Sequence, residues 1–292
     1  MFDSFDLRDV DTGDVTLRVR TGGDGPPLLL LHGYPQTHAM WHKVAPALAE
    51  RFTVVAPDLR GYGDSAKPPS DDTHAAYAKR AMAADVVRLM TLLGHDRFQV
   101  AGHDRGGRVT HRLLLDHPER VHRAAVLDII PTHKLFATVN QAVATGYYHW
   151  FFLIQGGGLP ERLIGAAPED YLMHKLGQWS AGRGGFSDAA VAEYRRCFAD
   201  PATIHASCED YRAAATIDLV HDEADMDRTI TCPLLVLWGA EGLMARSYDV
   251  LETWRERAQD VRGHALPCGH FLPEEAPQET LDAFQAFFDS DP

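Results

Sequence analysis

Gly102-His103-Asp104-Arg105-Gly106-Gly107 decides the fold. The apolar run Phe98 to Ala101 precedes it, and an amphipathic pattern through Val109 to Leu115 follows. A buried strand feeding a helix through a glycine-flanked turn is the frame of a nucleophile elbow, which exposes its central side chain at a helix N-terminus. The central residue is Asp104, not Ser. A carboxylate kept ionised by the helix dipole can attack a saturated carbon and leave a covalent ester, whereas a serine alkoxide suits acyl carbons. Asp is also a favoured helix cap, so capping is the plainer reading of the same residue.

Outward from the elbow, Leu28 to Leu31, Phe52 to Ala56, Phe98 to Ala101 and Ala124 to Ile130 read as buried parallel strands. Met82, Val86, Leu89, Met90 and Leu93 mark an amphipathic helix that Gly94 ends. The rhythm predicts an α/β fold: a mostly parallel central sheet with helices on both faces. From Pro131 to about Arg228 it breaks into a helical stretch holding twelve of the 27 aromatics. Pro233 to Trp238 restores a strand, a helix follows through Val250 to Ala258, a short strand leads to Leu266, and Leu281 to Phe288 closes with a helix. The expected organisation is a core of residues 1–130 and 229–292, interrupted by a helical cap, 131–228, inserted after the strand ending near Asp128. A pocket belongs between cap and strand ends.

An ester intermediate needs a base, an acid to orient it and an oxyanion hole. His270, in Cys268-Gly269-His270-Phe271-Leu272-Pro273, is the candidate base, placed near the chain's end in the order nucleophile, acid, His. Asp128 is the favoured acid, since a lone buried carboxylate is costly without a partner, and Glu241 is the alternative. The backbone N–H groups of Tyr34, in His32-Gly33-Tyr34-Pro35, and of Arg105 are the expected oxyanion donors.

The 292 residues are 45% apolar and 24% charged, with 24 Gly and 17 Pro, an ordinary globular composition. The formal charge of 28 minus 41, or −13, argues against nucleic acid and anionic membranes as partners. The first ten residues carry three Asp and no apolar run, and no stretch approaches a membrane span, so a cytoplasmic location is expected. Cys197, Cys208, Cys232 and Cys268 show no metal or disulfide spacing. His38 and His42 share a helical spacing but lack an HExxH frame or an acidic third ligand, so no metal is expected there.

Several strings together resemble the α/β-hydrolase superfamily and, within it, the fluoroacetate (haloacetate) dehalogenases. They are His32 to His38, Pro57 to Ser65, His103 to Val109, Leu127 to Thr132, Tyr148-His149-Trp150 and Asp210-Tyr211-Arg212-Ala213. The first two are shared with haloalkane dehalogenases and epoxide hydrolases, while His103 to Arg108 and Tyr148-His149-Trp150 are more specific. Haloalkane dehalogenases typically carry Trp directly after the nucleophile, where this chain has Arg105. The resemblance implies that Arg105 and Arg108 hold a substrate carboxylate, that His149, Trp150 and Tyr211 receive the halide, and that the protein is a homodimer. Trp179 is a further candidate for the pocket wall. The implied reaction is hydrolysis of a short 2-haloacid, fluoroacetate to glycolate and fluoride, which needs neither a metal nor an organic cofactor. The alternative is an epoxide hydrolase using the same Asp, His and acid with Tyr147, Tyr148 or Tyr211 as proton donors.

Overall fold

The computed structural model describes residues 1–182 and 184–289. Eight strands form one sheet in the order β1-β2-β4-β3-β5-β6-β7-β8. They are β1 (Asp6–Asp11), β2 (Thr16–Gly22), β3 (Pro27–Leu31), β4 (Thr53–Pro57), β5 (Phe98–His103), β6 (Val121–Leu127), β7 (Leu234–Gly239) and β8 (Val261–Leu266). β2 runs antiparallel to both β1 and β4, and every other pairing is parallel. The continuous apolar runs are the central strands: Leu28 to Leu31 and all of β5 are buried, as strands covered on both faces must be.

The two N-terminal strands were absent from the sequence expectation. Leu17 and Val19 are buried and Arg18 and Arg20 are half-buried, a period-two alternation that was available to be read. The fourth strand is displaced from Ala124–Ile130 to Val121–Leu127. Asp128 has φ 51°, which ends the extended conformation, so Ile129 and Ile130 are buried in a loop instead. An apolar run cannot reveal such a turn, because loop and strand are equally buried there. The last helix begins at Pro277, four residues before Leu281, and the helix that starts at Val250 stops at Arg255 rather than Ala258.

Between β6 and β7 the described residues form eight helices, from Thr132–Ala137 to Ile217–Ala224. β3 lies between β4 and β5, so the chain leaves β3 toward one edge of the sheet and returns past it to the other. That makes the carboxyl ends of β3 and β5 the switch point where open parallel sheets bind ligands. Tyr34 follows the first of these strands and Asp104 the second.

Candidate active site

Asp104 has φ 47° and ψ −111°, a conformation that L side chains seldom adopt. Its neighbours permit the turn because they lack side chains. A Cβ on Gly102 would lie 2.4 Å from the Gly106 carbonyl oxygen, and one on Gly106 would lie 2.5 Å from the carbonyl oxygens of Leu31 and His32. Although Asp104 stands at the N-cap of the helix Arg105–Asp116, its side chain makes no capping hydrogen bond. Instead Oδ1 accepts the Tyr34 N–H at 2.9 Å, and Oδ2 lies 3.8 Å from His270 Nε2. The capping reading therefore fails, and the carboxylate faces the space above the strand ends. Burial would raise its pKa, but the charges of His270, Arg105 and Arg108 hold it below the usual carboxylate value. The Arg105 N–H, the other expected oxyanion donor, heads the following helix, where no intrahelical carbonyl reaches it.

His270 occupies the loop after β8. Its Nδ1–H donates to Asp128 Oδ2 at 2.6 Å, while Asp128 Oδ1 accepts the Gly239 N–H at 3.0 Å. The geometry therefore selects Asp128 over Glu241 as the partner of the ring. Glu241 lines the same cleft of about 340 Å³ that Asp128 and His270 border, together with Tyr147, Trp179 and Arg246. Burial opposes a charge on His270, yet the hydrogen bond and charge of Asp128, then Asp104 and Glu275, outweigh it and raise its pKa. The peptide of His270 is held too: its N–H donates to Trp179 O at 2.9 Å, and its carbonyl accepts His103 Nε2–H at 2.8 Å. Burial and the neighbouring His270 push His103 down to about 3, so it stays a neutral donor.

The two arginines differ. Arg105 is wholly buried and donates from Nε and Nη2 to Asp210 at 2.8 and 2.7 Å. Asp210 also receives Tyr62 Oη–H at 2.6 Å and the Lys79 ammonium. Arg105 thus brings its own counter-charge from the helix Pro201–Ala215. Among the described residues its Nη1 has no partner. Arg108, by contrast, is held through Nη1 by neutral acceptors, Ile130 O at 2.9 Å and Thr132 Oγ1 at 3.1 Å. Its Nε and Nη2 are buried without partners among the described residues. Burial and the charge of Arg105 bring its pKa down to about 10, which leaves it protonated at neutral pH.

Above these groups lie aromatic side chains of the inserted helices. The guanidinium of Arg108 is 4.4 Å from the Trp150 ring centroid, and that of Arg105 is 4.1 Å from the Tyr211 ring centroid. Trp150 and Tyr211 meet edge to face at 5.5 Å, and His149 and Tyr211 at 5.4 Å. Trp150 Nε1, Tyr211 Oη and His149 Nδ1 are all buried with no hydrogen-bond partner among the described residues. Burial, with the charges of Lys175, Arg105 and His270, depresses His149 well below its ordinary value, so its ring is neutral. Trp179 packs against His149 at 4.6 Å and His270 at 5.5 Å, joining the two halves of the site. His38 and His42, by contrast, bond to Asp58 and to Ala39 O and Ser187.

Residues 26–277 match the family described as the alpha/beta hydrolase fold. The chain belongs to that family. A fluoroacetate dehalogenase from Burkholderia sp is 48% identical over 288 residues, 98% of this chain and 95% of the relative. A soluble epoxide hydrolase from Corynebacterium sp. (strain C12) is 38% identical over 275 residues, covering 92% of each chain. The crystal structure of an alpha/beta hydrolase from Nostoc sp PCC 7120 superposes with a TM-score of 0.99 at 60% identity over the whole of both chains.

In this alpha/beta hydrolase the fold supplies an oriented carboxylate, a histidine paired to an acid, and a roof of unused hydrogen-bond donors. Such a set can carry out displacement followed by hydrolysis. Four contributors were not anticipated from sequence: Asp210, which pairs with Arg105, Lys79 and Tyr62, which bond to Asp210, and Glu275, whose carboxylate accepts the N–H groups of Gly269 and Phe271. Asp210 stands directly before Tyr211 in a string already singled out, so a charge beside an expected donor was the available signal. Glu275 left none.

Proposed function

We propose that this hydrolase removes halide from short 2-haloacids, with fluoroacetate as the leading substrate. One observation carries the reading. A protonated, buried guanidinium without a carboxylate partner, Arg108, stands beside Trp150 and Tyr211, whose donors, with that of His149, are equally unused. Leaving such groups unpaired is costly, so the site suits a ligand that brings a carboxylate to the first and a developing anion to the others.

Asp104 attacks the α-carbon in line. The C–O bond forms as the C–F bond breaks, and fluoride leaves with the electron pair. Nη2 and Nε of Arg108, helped by Nη1 of Arg105, grip the substrate carboxylate. Trp150, Tyr211 and His149 solvate the departing halide. At roughly 1.5 to 3 kcal/mol per hydrogen bond to a charged acceptor, three donors supply on the order of 5 to 9 kcal/mol, which matters most for fluoride. His270, oriented by Asp128, then takes a proton from water that adds to the Asp104 ester carbonyl. The Tyr34 and Arg105 N–H groups stabilise the resulting oxyanion, and cleavage of the acyl bond releases glycolate and restores Asp104. The net reaction consumes one water and yields glycolate, halide and a proton.

In the same reading, residues 131–228 act as a cap over the core, and the enzyme is a cytoplasmic homodimer without cofactor. The global charge of −13 does not forbid an anionic substrate. Distant exposed carboxylates are screened, whereas the charge of Arg108 acts at short range in a poorly polarisable site. Epoxide opening is the second reading, favoured by the partnerless Tyr211 hydroxyl and the 38% identical epoxide hydrolase. Halide release from fluoroacetate and chloroacetate, assayed beside opening of a styrene-type epoxide, separates the two. Epoxide opening with no halide release rejects the dehalogenase.

A further inference from the structure

We propose that Glu275 is a positioning residue for His270, fixing the base for the ester-hydrolysis step and leaving the displacement step unaffected. The inference rests on the dehalogenase reading above and adds a part that the catalytic acid Asp128 cannot supply. Asp128 orients the imidazole ring but not the peptide that carries it. Glu275 Oε2 accepts the Gly269 N–H at 2.9 Å and Oε1 accepts the Phe271 N–H at 2.8 Å, so the two oxygens bracket His270 from both sides. Trp179 O takes the His270 N–H between them, and His103 takes its carbonyl. The N–H groups of Gly269, His270 and Phe271 and the His270 carbonyl thus each have a partner, and one side chain supplies two of them.

The one-turn helix Leu272–Glu275 makes this possible. The Glu275 N–H bonds back to Phe271 O at 2.9 Å, which places its side chain over the loop it holds. A carboxylate suits the place better than an amide, because both facing groups are donors and a glutamine would turn its NH2 toward one of them. The negative charge has a second consequence. His270 gains a proton when water attacks the ester but not when Asp104 attacks the substrate, so a nearby carboxylate favours only the second step. The other titratable groups facing His270 are Asp104, Asp128, His103 and His149.

The test is Glu275→Gln, with His270→Ala as reference, on the full chain with fluoroacetate. Intact-mass spectrometry of quenched samples reads the Asp104 ester, and steady-state kinetics read kcat and KM. His270→Ala should accumulate the ester. In Glu275→Gln, ester formation in a single turnover should stay within about twofold of wild type, while kcat falls roughly ten- to a hundredfold. Ester should accumulate, KM should fall with kcat so that kcat/KM holds, and the acid limb of kcat should move to lower pH. A Glu275 that merely braced the loop would lower kcat and kcat/KM together with no ester and no shifted limb, and that result overturns the proposal, as does unchanged kcat. Should the Gln variant fail to fold, Glu275→Asp, which keeps the charge but withdraws the carboxylate, is judged by ester accumulation and the kcat to kcat/KM split. Absence of ester in His270→Ala rejects the dehalogenase reading itself, and this inference with it.

Discussion

Arg105 and Asp210, both wholly buried, form a two-point ion pair, so that of the two arginines beside Asp104 only Arg108 has no carboxylate partner among the described residues. The two side chains lie three residues apart on one helix and read alike as sequence, yet they do different work. Removing Arg105 would leave the buried Asp210 carboxylate to Lys79 and Tyr62 and break its two-point pair. Removing Arg108 would delete a desolvated charge held only by neutral acceptors.

The two should therefore separate stability from binding. Arg105→Leu is expected to cost about 3 to 5 kcal/mol of folding stability, the usual penalty for breaking a buried pair. Arg108→Leu should cost at least about 2 kcal/mol less and instead lower kcat/KM for haloacids by at least about a hundredfold, since two charge-assisted hydrogen bonds are lost. Urea denaturation and steady-state halide release measure both. Equal stability losses, or unaltered kcat/KM in Arg108→Leu, would contradict the assignment.

Trp150→Phe keeps the aromatic plate against Arg108 but removes the indole N–H. Fluoride, the poorer leaving group, depends more on that donor than chloride does. The kcat for fluoroacetate should fall at least about tenfold further than that for chloroacetate, equivalent to about 1.4 kcal/mol of leaving-group stabilisation. The ratio of fluoride to chloride release across the two substrates reads it directly, and parallel losses count against a fluoride-tuned roof.

The pH dependence follows from His270. Its pKa is raised in the free enzyme by Asp128, Asp104 and Glu275 against burial. Water activation needs the neutral ring, so kcat should rise with pH and be lost as the ring protonates on the acid side. In the ester Asp104 no longer bears a charge, so the acid limb of kcat should lie at lower pH than the titration of His270 in the free enzyme, read by imidazole NMR. Coincident values would mean that Asp104 does not act on the ring.

Gly106→Ala tests the elbow. The added methyl meets two backbone carbonyl oxygens, which cannot move aside without shifting β3. A loss of about 1 to 3 kcal/mol or more is expected in urea denaturation, with activity falling further than stability because Asp104 turns with the helix. A variant as stable and as active as wild type would show that the close approach is not required.

The fold was legible in the sequence wherever burial and periodicity coincide. Leu28 to Leu31, Phe98 to Ala101 and Pro233 to Trp238 announced central strands, because only strands covered on both faces carry such short continuous apolar runs. The elbow, His270 and the aromatic string at Tyr148 to Trp150 were legible as motifs. The N-terminal pair β1 and β2 escaped because its alternation is brief and half exposed, and Asp128 was placed inside a strand because a positive φ leaves no trace among apolar neighbours.

The sequence by itself determined the order of the elements and the chemical types available: a carboxylate at the elbow, a late histidine, two arginines one turn apart and a set of aromatic donors. Only the tertiary structure decided which of them are engaged. Asp128 rather than Glu241 meets His270, Asp210 consumes the charge of Arg105, and Glu275 brackets the base. Each of these choices is a hydrogen bond of 2.6 to 2.9 Å, and apart from Glu275 each joins residues more than a hundred positions apart. Local pattern carries no information about such pairing. Burial makes an unmet charge or donor costly, so the folded chain satisfies those it can and leaves free the few that the substrate is proposed to meet.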